Sequence, residues 1–413
     1  MKIHDLLVIL ATCLLAWGLP SLYDLFQTSS GGRLMVAYSA VNHHFCGIER
    51  TGESREIVRK DFSTGETFAL DSFDHVLPFL FYRQLSADGL WTDTVSGRYV
   101  SLKEVNQKNF FFKQNPKDKN TPFIGLYPLF ESSSGRVQLK MPKDMFRLKD
   151  DIAFIAPENN RVDIEKSQRF RKVFKAIDFA FPARVVAGLP SPRKPYDEGF
   201  FIIDAGDQLY HFKMIQGNPF LKRIKLPEGC IPSAFVPYPP KDRSFYGFLV
   251  DTKKRFYVLT TRNYELQPLS CGAVDMNKQL ITIAGNPHYW TMRLIRPDKE
   301  NLFAFEASDK SRKASRQFIE TPETPETPET QSYTAYLFPF TLRWTDPLSR
   351  YISPQFSIGK YPVLFLNVAF MLIFIFLVAR KQSLRKKALP ALWILLTGVF
   401  GFISLILLQE RES

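Results

Sequence analysis

Phe201-Ile-Ile-Asp204 is followed by Leu209-Tyr210, and Phe248-Leu-Val-Asp251 is followed at the same offsets by Phe256-Tyr257. The two units start 47 residues apart. Each reads as an apolar strand, a turn rich in Asp, Gly or Lys, and a second strand. One step of the same length back reaches Phe154-Ile-Ala-Pro157 with Val162, and one step forward reaches Ile295-Arg-Pro-Asp298 with Phe303. A lone hairpin cannot bury both faces, so a hairpin repeat implies stacked sheets. The expected fold is mainly β. A β-propeller-like stack of blades fits the spacing, and an irregular multi-hairpin domain is the alternative. Asp204 and Asp251 occupy one repeat position at a strand end, where a carboxylate receives turn N–H groups.

The surrounding sequence has the same texture. With 38 Phe, 28 Pro and 21 Gly in 413 residues, the composition favours short strands and turns over long helices. Further strands are expected at Leu34–Tyr38, Arg136–Lys140, Phe200–Ile203 and Tyr246–Val250. One soluble helix is expected over Ser167–Ile177, capped by Ser167, with Phe170, Val173, Phe174 and Ile177 at helical spacing. Residues 311–332 contain three Thr-Pro-Glu repeats with no apolar residue among them, which implies an extended, solvated linker.

The two ends read as membrane segments. Leu6–Leu19 is apolar apart from Thr12 and follows Lys2, the pattern of a signal-anchor or a signal peptide. Pro362–Ala379 and Ala388–Leu408 are apolar runs of 18 and 21 residues, lengths that suit a hydrocarbon core about 30 Å thick. Between them lie Arg380, Lys381, Arg385, Lys386 and Lys387 with no acidic residue, which places that loop in the cytoplasm. The expected organisation is an N-terminal signal-anchor at 1–21, an exported β-rich domain at 22–310, and the linker at 311–332. Final strands and the membrane approach follow at 333–360. A transmembrane helix at 361–379, a basic cytoplasmic loop at 380–387, a second transmembrane helix at 388–408 and an exported tail at 409–413 complete it. A bacterial cytoplasmic membrane protein with its bulk in the periplasm or cell exterior is implied.

Signatures of chemistry are sparse. The chain has no phosphate-binding Gly-rich loop with Lys, no H-E-x-x-H and no G-x-S-x-G, so no catalytic residue is assigned and no cofactor is expected. The net charge of +13 is spread without a basic stripe interleaved with aromatics, so no nucleic-acid partner is expected. His43, His44 and Cys46 form the densest set of metal-competent side chains, although adjacent His on a strand point to opposite faces. Lys194, Tyr196, Asp197 and Glu198 lie in a mixed-charge loop before a strand, where binding groups concentrate. His211 and His288 stand beside aromatics in strand-like runs and complete the candidate ligand or partner set. Cys230 with Cys271 is the favoured pairing if the exported cysteines form a disulfide.

Several stretches resemble a family of bacterial membrane proteins of unknown function. They are Tyr38-Ser39, Leu77-Pro-Phe-Leu-Phe-Tyr-Arg-Gln-Leu85, Gly125-Leu-Tyr-Pro-Leu-Phe-Glu-Ser132, Phe181-Pro-Ala183 and Lys194-Pro-Tyr-Asp-Glu-Gly-Phe-Phe-Ile-Ile-Asp204, running on to Leu209-Tyr-His-Phe-Lys213. Members are often encoded beside ABC transporter components, and the resemblance implies an envelope accessory protein docked to such a membrane complex. It transfers no catalytic residues. The expected function is therefore to bind or scaffold a partner through the exported domain. An envelope hydrolase acting on a glycan or lipid-linked substrate is the alternative, and a ligand or metal sensor is a third reading.

Overall fold

The computed structural model describes residues 3–26, 32–51, 56–194, 196–296, 299–309, 313–320, 334–346, 348–378 and 384–408. Helix α1 (Ile3–Phe26) leads into an antiparallel sheet of β1 (Gly32–Tyr38), β2 (Phe45–Arg50), β3 (Ile57–Asp61) and β4 (Thr67–Phe68). Short elements follow: α2 (Leu70–Val76), α3 (Tyr82–Ala87), the hairpin β5 (Thr94–Val95) and β6 (Arg98–Tyr99), α4 (Leu102–Lys108), β7 (Phe110–Gln114) and α5 (Pro116–Lys119). A three-stranded sheet of β8 (Met145–Leu148), β9 (Ile152–Ala156) and β10 (Arg161–Asp163) is joined to α6 (Ile164–Ala176). Two four-stranded sheets run in sequential order. One holds β11 (Val185–Gly188), β12 (Phe200–Ile203), β13 (Leu209–Ile215) and β14 (Asn218–Ile224). The other holds β15 (Pro232–Pro237), β16 (Phe245–Asp251), β17 (Phe256–Thr260) and β18 (Leu266–Leu269). In the last large sheet, β19 (Leu280–Gly285), β20 (Tyr289–Ile295), β21 (Glu300–Glu306) and β22 (Ala314–Glu320) are joined by the distant β7 along β19. Helix α7 (Thr334–Leu337), the hairpin β23 (Phe340–Thr345) and β24 (Ile352–Ile358), and helices α8 (Val363–Ile373), α9 (Leu384–Thr397) and α10 (Val399–Leu407) complete the chain.

The protein is mainly β, with many small sheets and one long apolar N-terminal helix. Side chains alternate across a strand, and here the alternation feeds two cores at once. Phe201 and Ile203 pack with Phe235, Leu249, Tyr257 and Leu259 between the two four-stranded sheets. Their neighbours Phe200 and Ile202 point the other way, to Phe146, Phe154, Phe170 and Phe174 of the three-stranded sheet and α6. Phe248, Val250, Phe256 and Val258 face the five-stranded sheet at Phe112, Ile283 and Met292. Leu302 and Ala304 of that sheet meet Val36, Tyr38 and Phe45 of the first. This is why β16 is buried at every position and reads as a continuous apolar run rather than an alternating one.

The repeat is realised as hairpins. β9–β10, β12–β13, β16–β17 and β20–β21 are antiparallel pairs at the four spaced positions. Asp204 Oδ1 accepts the Gln208 N–H at 2.8 Å, and Asp251 Oδ1 accepts the Arg255 N–H at 2.8 Å. Each carboxylate thus closes its own turn.

Several expectations are corrected. Arg136–Lys140 forms no strand; Leu139 is buried, but its N–H bonds to the loop carbonyls of Pro192 and Lys194, and Val137 is 87% exposed. The soluble helix starts earlier, at Ile164, and Asp163 caps it by accepting from Lys166 N at 2.9 Å. Ser167 instead lies inside it, buried, with its hydroxyl accepting from Phe154 N and donating to Asp163 O. Ala314–Glu320 within the expected linker is strand β22, and the Thr-Pro-Glu repeats lie outside the described residues. Cys230 and Cys271 are free thiols buried in different cores.

The C-terminal region departs most. Among the described residues only α1 is long and apolar enough to cross a membrane. Helix α8 has 11 residues and runs on into a π-helical turn at Phe374–Val378. The apolar stretch 388–408 is not one helix, because Gly398 adopts φ 57°, a left-handed conformation that ends α9. The chain then turns back: Thr12 bonds Ser404 at 3.1 Å, and His4 Nε2 donates to the Leu408 carbonyl at 2.9 Å. Helix α10 therefore runs antiparallel to α1, and its end lies beside the start of α1. Arg380 and Lys381 lie outside the described residues, whereas Arg385, Lys386 and Lys387 belong to the first turn of α9 rather than to a loop.

The turn carboxylates are expected to be structural. Asp251→Ala strands the Arg255 N–H in the turn and should destabilise the protein by about 1–2 kcal/mol, with Asp251→Asn losing about half as much. Denaturant unfolding of the detergent-solubilised full chain measures this, and an unchanged midpoint for Asp251→Ala would show that the turn does not need the carboxylate.

Candidate functional site

The loop 189–199 delivers Lys194, Tyr196, Asp197 and Glu198 to one end of the two four-stranded sheets, where the β15–β16 and β17–β18 loops also emerge. Gly199 makes this possible. Its φ is +72°, and a Cβ there would sit 2.2 Å from the Phe212 carbonyl oxygen, so the loop enters β12 only through a residue without a side chain. Asp197 is buried. Its N–H donates to Ser132 O, its carbonyl accepts from the Ser132 hydroxyl at 2.6 Å, and its Oδ1 accepts the Gly199 N–H at 2.7 Å. Burial pushes its carboxyl up to about 6.

Glu198 points the other way, into a basic setting. Its carboxylate accepts from Arg243 at 2.5 Å and from Lys213 at 3.4 Å. Burial works against its ionisation, but the Arg243 hydrogen bond and the Lys213 charge outweigh burial and hold it below the ordinary value. Arg243 lies 3.9 Å over the Tyr196 ring, and Lys222 lies 4.4 Å over the Tyr264 ring. Lys194 donates to Leu189 O at 2.8 Å, and burial lowers its pKa. Arg243, Lys222 and the Tyr196 and Tyr264 rings form a cationic and aromatic ledge.

His211 stands beneath this ledge, fully buried and stacked on Phe201 at 4.5 Å. Its Nε2 is 2.5 Å from the Glu198 carbonyl and its Nδ1 is 2.8 Å from the Tyr264 hydroxyl. A carbonyl only accepts, so Nε2 carries the proton and Nδ1 accepts from Tyr264. Burial lowers its pKa to about 4. Both nitrogens are committed, which leaves no lone pair for general-base work; the ring ties the loop of one sheet to the loop of the next.

The other candidates do not join this group. His288 lies at the β19–β20 turn, 4.8 Å from the Phe79 ring, its pKa lowered by burial to about 4. His43, His44 and Cys46 do not converge. His43 adopts φ 60° and sits among Tyr38 and Tyr289, while His44 Nδ1 bonds Asp61 at 2.8 Å. The Cys46 thiol is buried and pushed up to about 12, so it is not a ready thiolate ligand. Among the described residues no group of three or more His, Cys, Asp or Glu is disposed to hold a metal. Arg243, Lys213, Lys222 and Tyr264 were not singled out by sequence; one signal existed, because Arg243 lies one repeat step beyond Tyr196, the ring it covers.

A pH profile follows from these groups. The unfolded chain protonates His211 near 6.5 and the folded chain only near 4. The stability held by the neutral ring is thus complete above about 6.5 and lost as pH falls toward 4. His288 acts in the same direction. Asp197 acts oppositely, since its raised pKa makes folding more favourable as pH falls through 6. His211→Gln should flatten the acid side of the stability–pH curve by about one proton, and Asp197→Asn should steepen it. Unfolding midpoints between pH 4 and 7 read both, and parallel curves for His211→Gln and wild type would refute the neutral-ring assignment.

Among curated proteins none matches the sequence. Solved structures give distant likenesses: Kuenenia stuttgartiensis hydrazine synthase (10% identity, TM-score 0.25, 50% of this chain and 52% of that chain), and PorZ, a surface component of the type-IX secretion system of Porphyromonas gingivalis (10%, 0.21, 71% and 32%). A third is a β-propeller domain from Myceliophteria thermophila (8%, 0.24, 70% and 85%). The chain spans about half the length of the hydrazine synthase chain it matches. Scores at this level carry no argument about fold or chemistry. The family described as a domain of unknown function, DUF4857, matches residues 35–305. That span opens in β1 and closes in β21, leaving the apolar helices at both ends outside it, and the chain belongs to this family.

Proposed function

We propose that this protein is a membrane-anchored envelope accessory protein whose β-rich domain, a propeller-like stack of sheets, binds a partner in a membrane complex such as an ABC transporter. The observation that carries the reading is the outward face of the terminal helices. Leu6, Leu10 and Leu14 of α1, Phe365 of α8, Leu389 and Leu396 of α9 and Leu407 of α10 are all exposed, while Thr12, Ser404 and Asn367 are turned inward and hydrogen-bonded. Apolar outside and polar inside is the pattern of helices solvated by lipid. Helix α1 supplies the span, and the shorter C-terminal helices pack against it from within the bilayer.

Orientation rests on charge. The start of α9, the end of α10 and the start of α1 lie together, as Leu389, Pro390 and Leu405 line one cleft with His4 and Asp5. Arg385, Lys386 and Lys387 in the first turn of α9 put basic residues at that end, which favours the cytoplasm. The β domain, at the far end of α1, is then exported, and the tail after Leu408 is cytoplasmic rather than exported. The ledge of Arg243, Lys222, Tyr196 and Tyr264 supports binding over hydrolysis, because His211 beneath it has no free nitrogen.

Alkaline phosphatase inserted after Gly188 should be active, and the same reporter fused after Ser413 should be inactive. Phosphatase activity at Ser413, or its loss at Gly188, would overturn the orientation. The partner reading is tested by purification in mild detergent. Recovery of the protein alone with glycan or peptide hydrolase activity would replace it with the enzyme reading.

A further inference from the structure

Strand β24 alternates strictly, Ile352-Ser-Pro-Gln-Phe-Ser-Ile358, with its apolar residues on one face and its polar residues on the other. The apolar face continues across the ladder onto β23, because Phe356 pairs with Leu342 and Ile358 pairs with Phe340. The Phe340 and Phe356 ring centroids lie 5.5 Å apart. The β23 half of this face is covered: Phe340 and Leu342 pack with Ala16, Leu19 and Tyr23 of α1 and with Phe400 of α10. The β24 half is bare, with Ile352 82%, Phe356 62% and Ile358 77% exposed. An antiparallel sheet with one apolar face buries that face, so β24 is a surface with half of its cover missing.

The position of the hairpin along α1 identifies the cover. Helix α10 accompanies α1 from Leu408, beside His4, to Phe400, beside Ala16. Beyond Ala16, α1 is flanked by β23 as far as the Arg343–Asp24 ion pair at 2.8 Å. Helix α9, with 14 residues, is about 21 Å long, short of a hydrocarbon core about 30 Å thick. The base of the hairpin therefore stands where the short helices end, at the boundary between acyl chains and headgroups. The residues there have the matching chemistry. Lys360 donates to the Tyr336 hydroxyl at 2.7 Å and lies 4.3 Å over its ring, beside the exposed Tyr361; lysine stems and tyrosine rings gather at a membrane–water boundary. Water at that depth also satisfies the open edge of β24, which pure hydrocarbon would not. At its far end the hairpin is tied to the β domain, since the Arg350 N–H donates to Asn120 O at 2.7 Å and Asn120 Nδ2 donates to Leu348 O at 2.9 Å. We propose that the apolar face of β24 seats in the boundary layer of a phospholipid bilayer, with Phe356 and Ile358 among the acyl chains, and that this seat sets the stance of the β domain on the membrane surface. The inference rests on the membrane-anchored reading above.

The experiment is spin labelling of the full chain in phosphatidylethanolamine–phosphatidylglycerol vesicles. Collisions of each label with oxygen, which concentrates among acyl chains, are compared with collisions with a water-soluble nickel chelate. Cys13 of α1 is exposed while Cys46, Cys230 and Cys271 are buried, so the wild-type chain carries its label on the span. Phe356→Cys, Ile358→Cys and Val137→Cys are each made with Cys13→Ser; all of these positions are exposed, which keeps the risk to folding small. Labels replacing Phe356 and Ile358 should match the label on Cys13, with an oxygen-to-nickel ratio severalfold above that of the label replacing Val137 in the β domain. Nickel-accessible labels on β24 beside an oxygen-accessible Cys13 would overturn the lipid seat alone. Nickel access at Cys13 as well would overturn the membrane reading and the seat with it. Labels on β24 shielded from both reagents would show the face covered by a second copy or another protein, and would also overturn the lipid seat.

Discussion

The central strands of this protein have no solvent face. Phe248 packs with the five-stranded sheet, and its neighbour Leu249 packs with the preceding four-stranded one. A register slip of one residue would exchange these two sets and bring Phe248, whose ring centroid lies 4.5 Å from that of Phe112, against the wrong sheet. The β11–β14, β15–β18 and five-stranded sheets are therefore each fixed by two neighbouring sheets rather than one. The entry of β7 into the last sheet is the same constraint extended along the chain. Phe112 occupies a place in a core otherwise built by residues 234–305, and closing so long a loop adds little entropy beyond a short one because the penalty grows only logarithmically.

That constraint explains which parts of the fold can be read from sequence. Strands buried on both faces show as dense apolar runs closed by turn residues, and Phe201–Asp204 and Phe248–Asp251 announce themselves and their hairpins. The degenerate copies at Phe154 and Ile295 were legible through spacing alone. Arg136–Lys140 has a strand-like alternation, yet only Leu139 finds a core, because no neighbouring strand offers it a ladder. The pairing of β7 with β19 left no local signal at all. At the C-terminus, hydropathy measures how apolar a stretch is and not whether its backbone is continuous. Gly398 occupies the left-handed region with Asn367 Oδ1 2.2 Å from where its Cβ would be, and one glycine turns an apparent span into two helices that fold back.

The ledge shows a similar division. The loop 194–198 was legible as a binding candidate from its charge and its Pro and Gly, but its electrostatic partners lie far from it in the sequence. Arg243 reaches Glu198 from the β15–β16 loop and Lys213 reaches it along β13. His211, beside aromatics in a strand-like run, was a candidate for ligand or partner binding and not for catalysis. Packing makes it the reverse of a catalytic base, since stacking on Phe201 and donation to a carbonyl fix both its tautomer and its neutrality. Metal-competent residues near His43 fail for a comparable reason. Asp61 accepts from His44, Asn42 and the backbone N–H groups of Ser63 and Thr64, so its charge is already spent on the turn.

Elsewhere in the β domain, buried charge is matched with care. Glu300 accepts from Arg293 at 2.5 Å and from Arg33 at 3.0 Å, binding the first sheet to the last. Asp251 holds Arg255, and Asp204 holds the N–H groups of Ala180 and Gln208. Only in the Glu300 set are both partners buried, so removing Glu300 would leave Arg293 and Arg33 uncompensated, a penalty of about 3–5 kcal/mol. Asp74 of α2 is the exception: its Oδ1 is buried with no hydrogen-bond partner among the described residues, and burial together with the Asp71 charge raises its pKa. The helices α2 and α3 are short, and together with the first sheet they rest on small cores around Phe73 and Phe79, so the cost of burying Asp74 falls on a segment with little packing energy to absorb it.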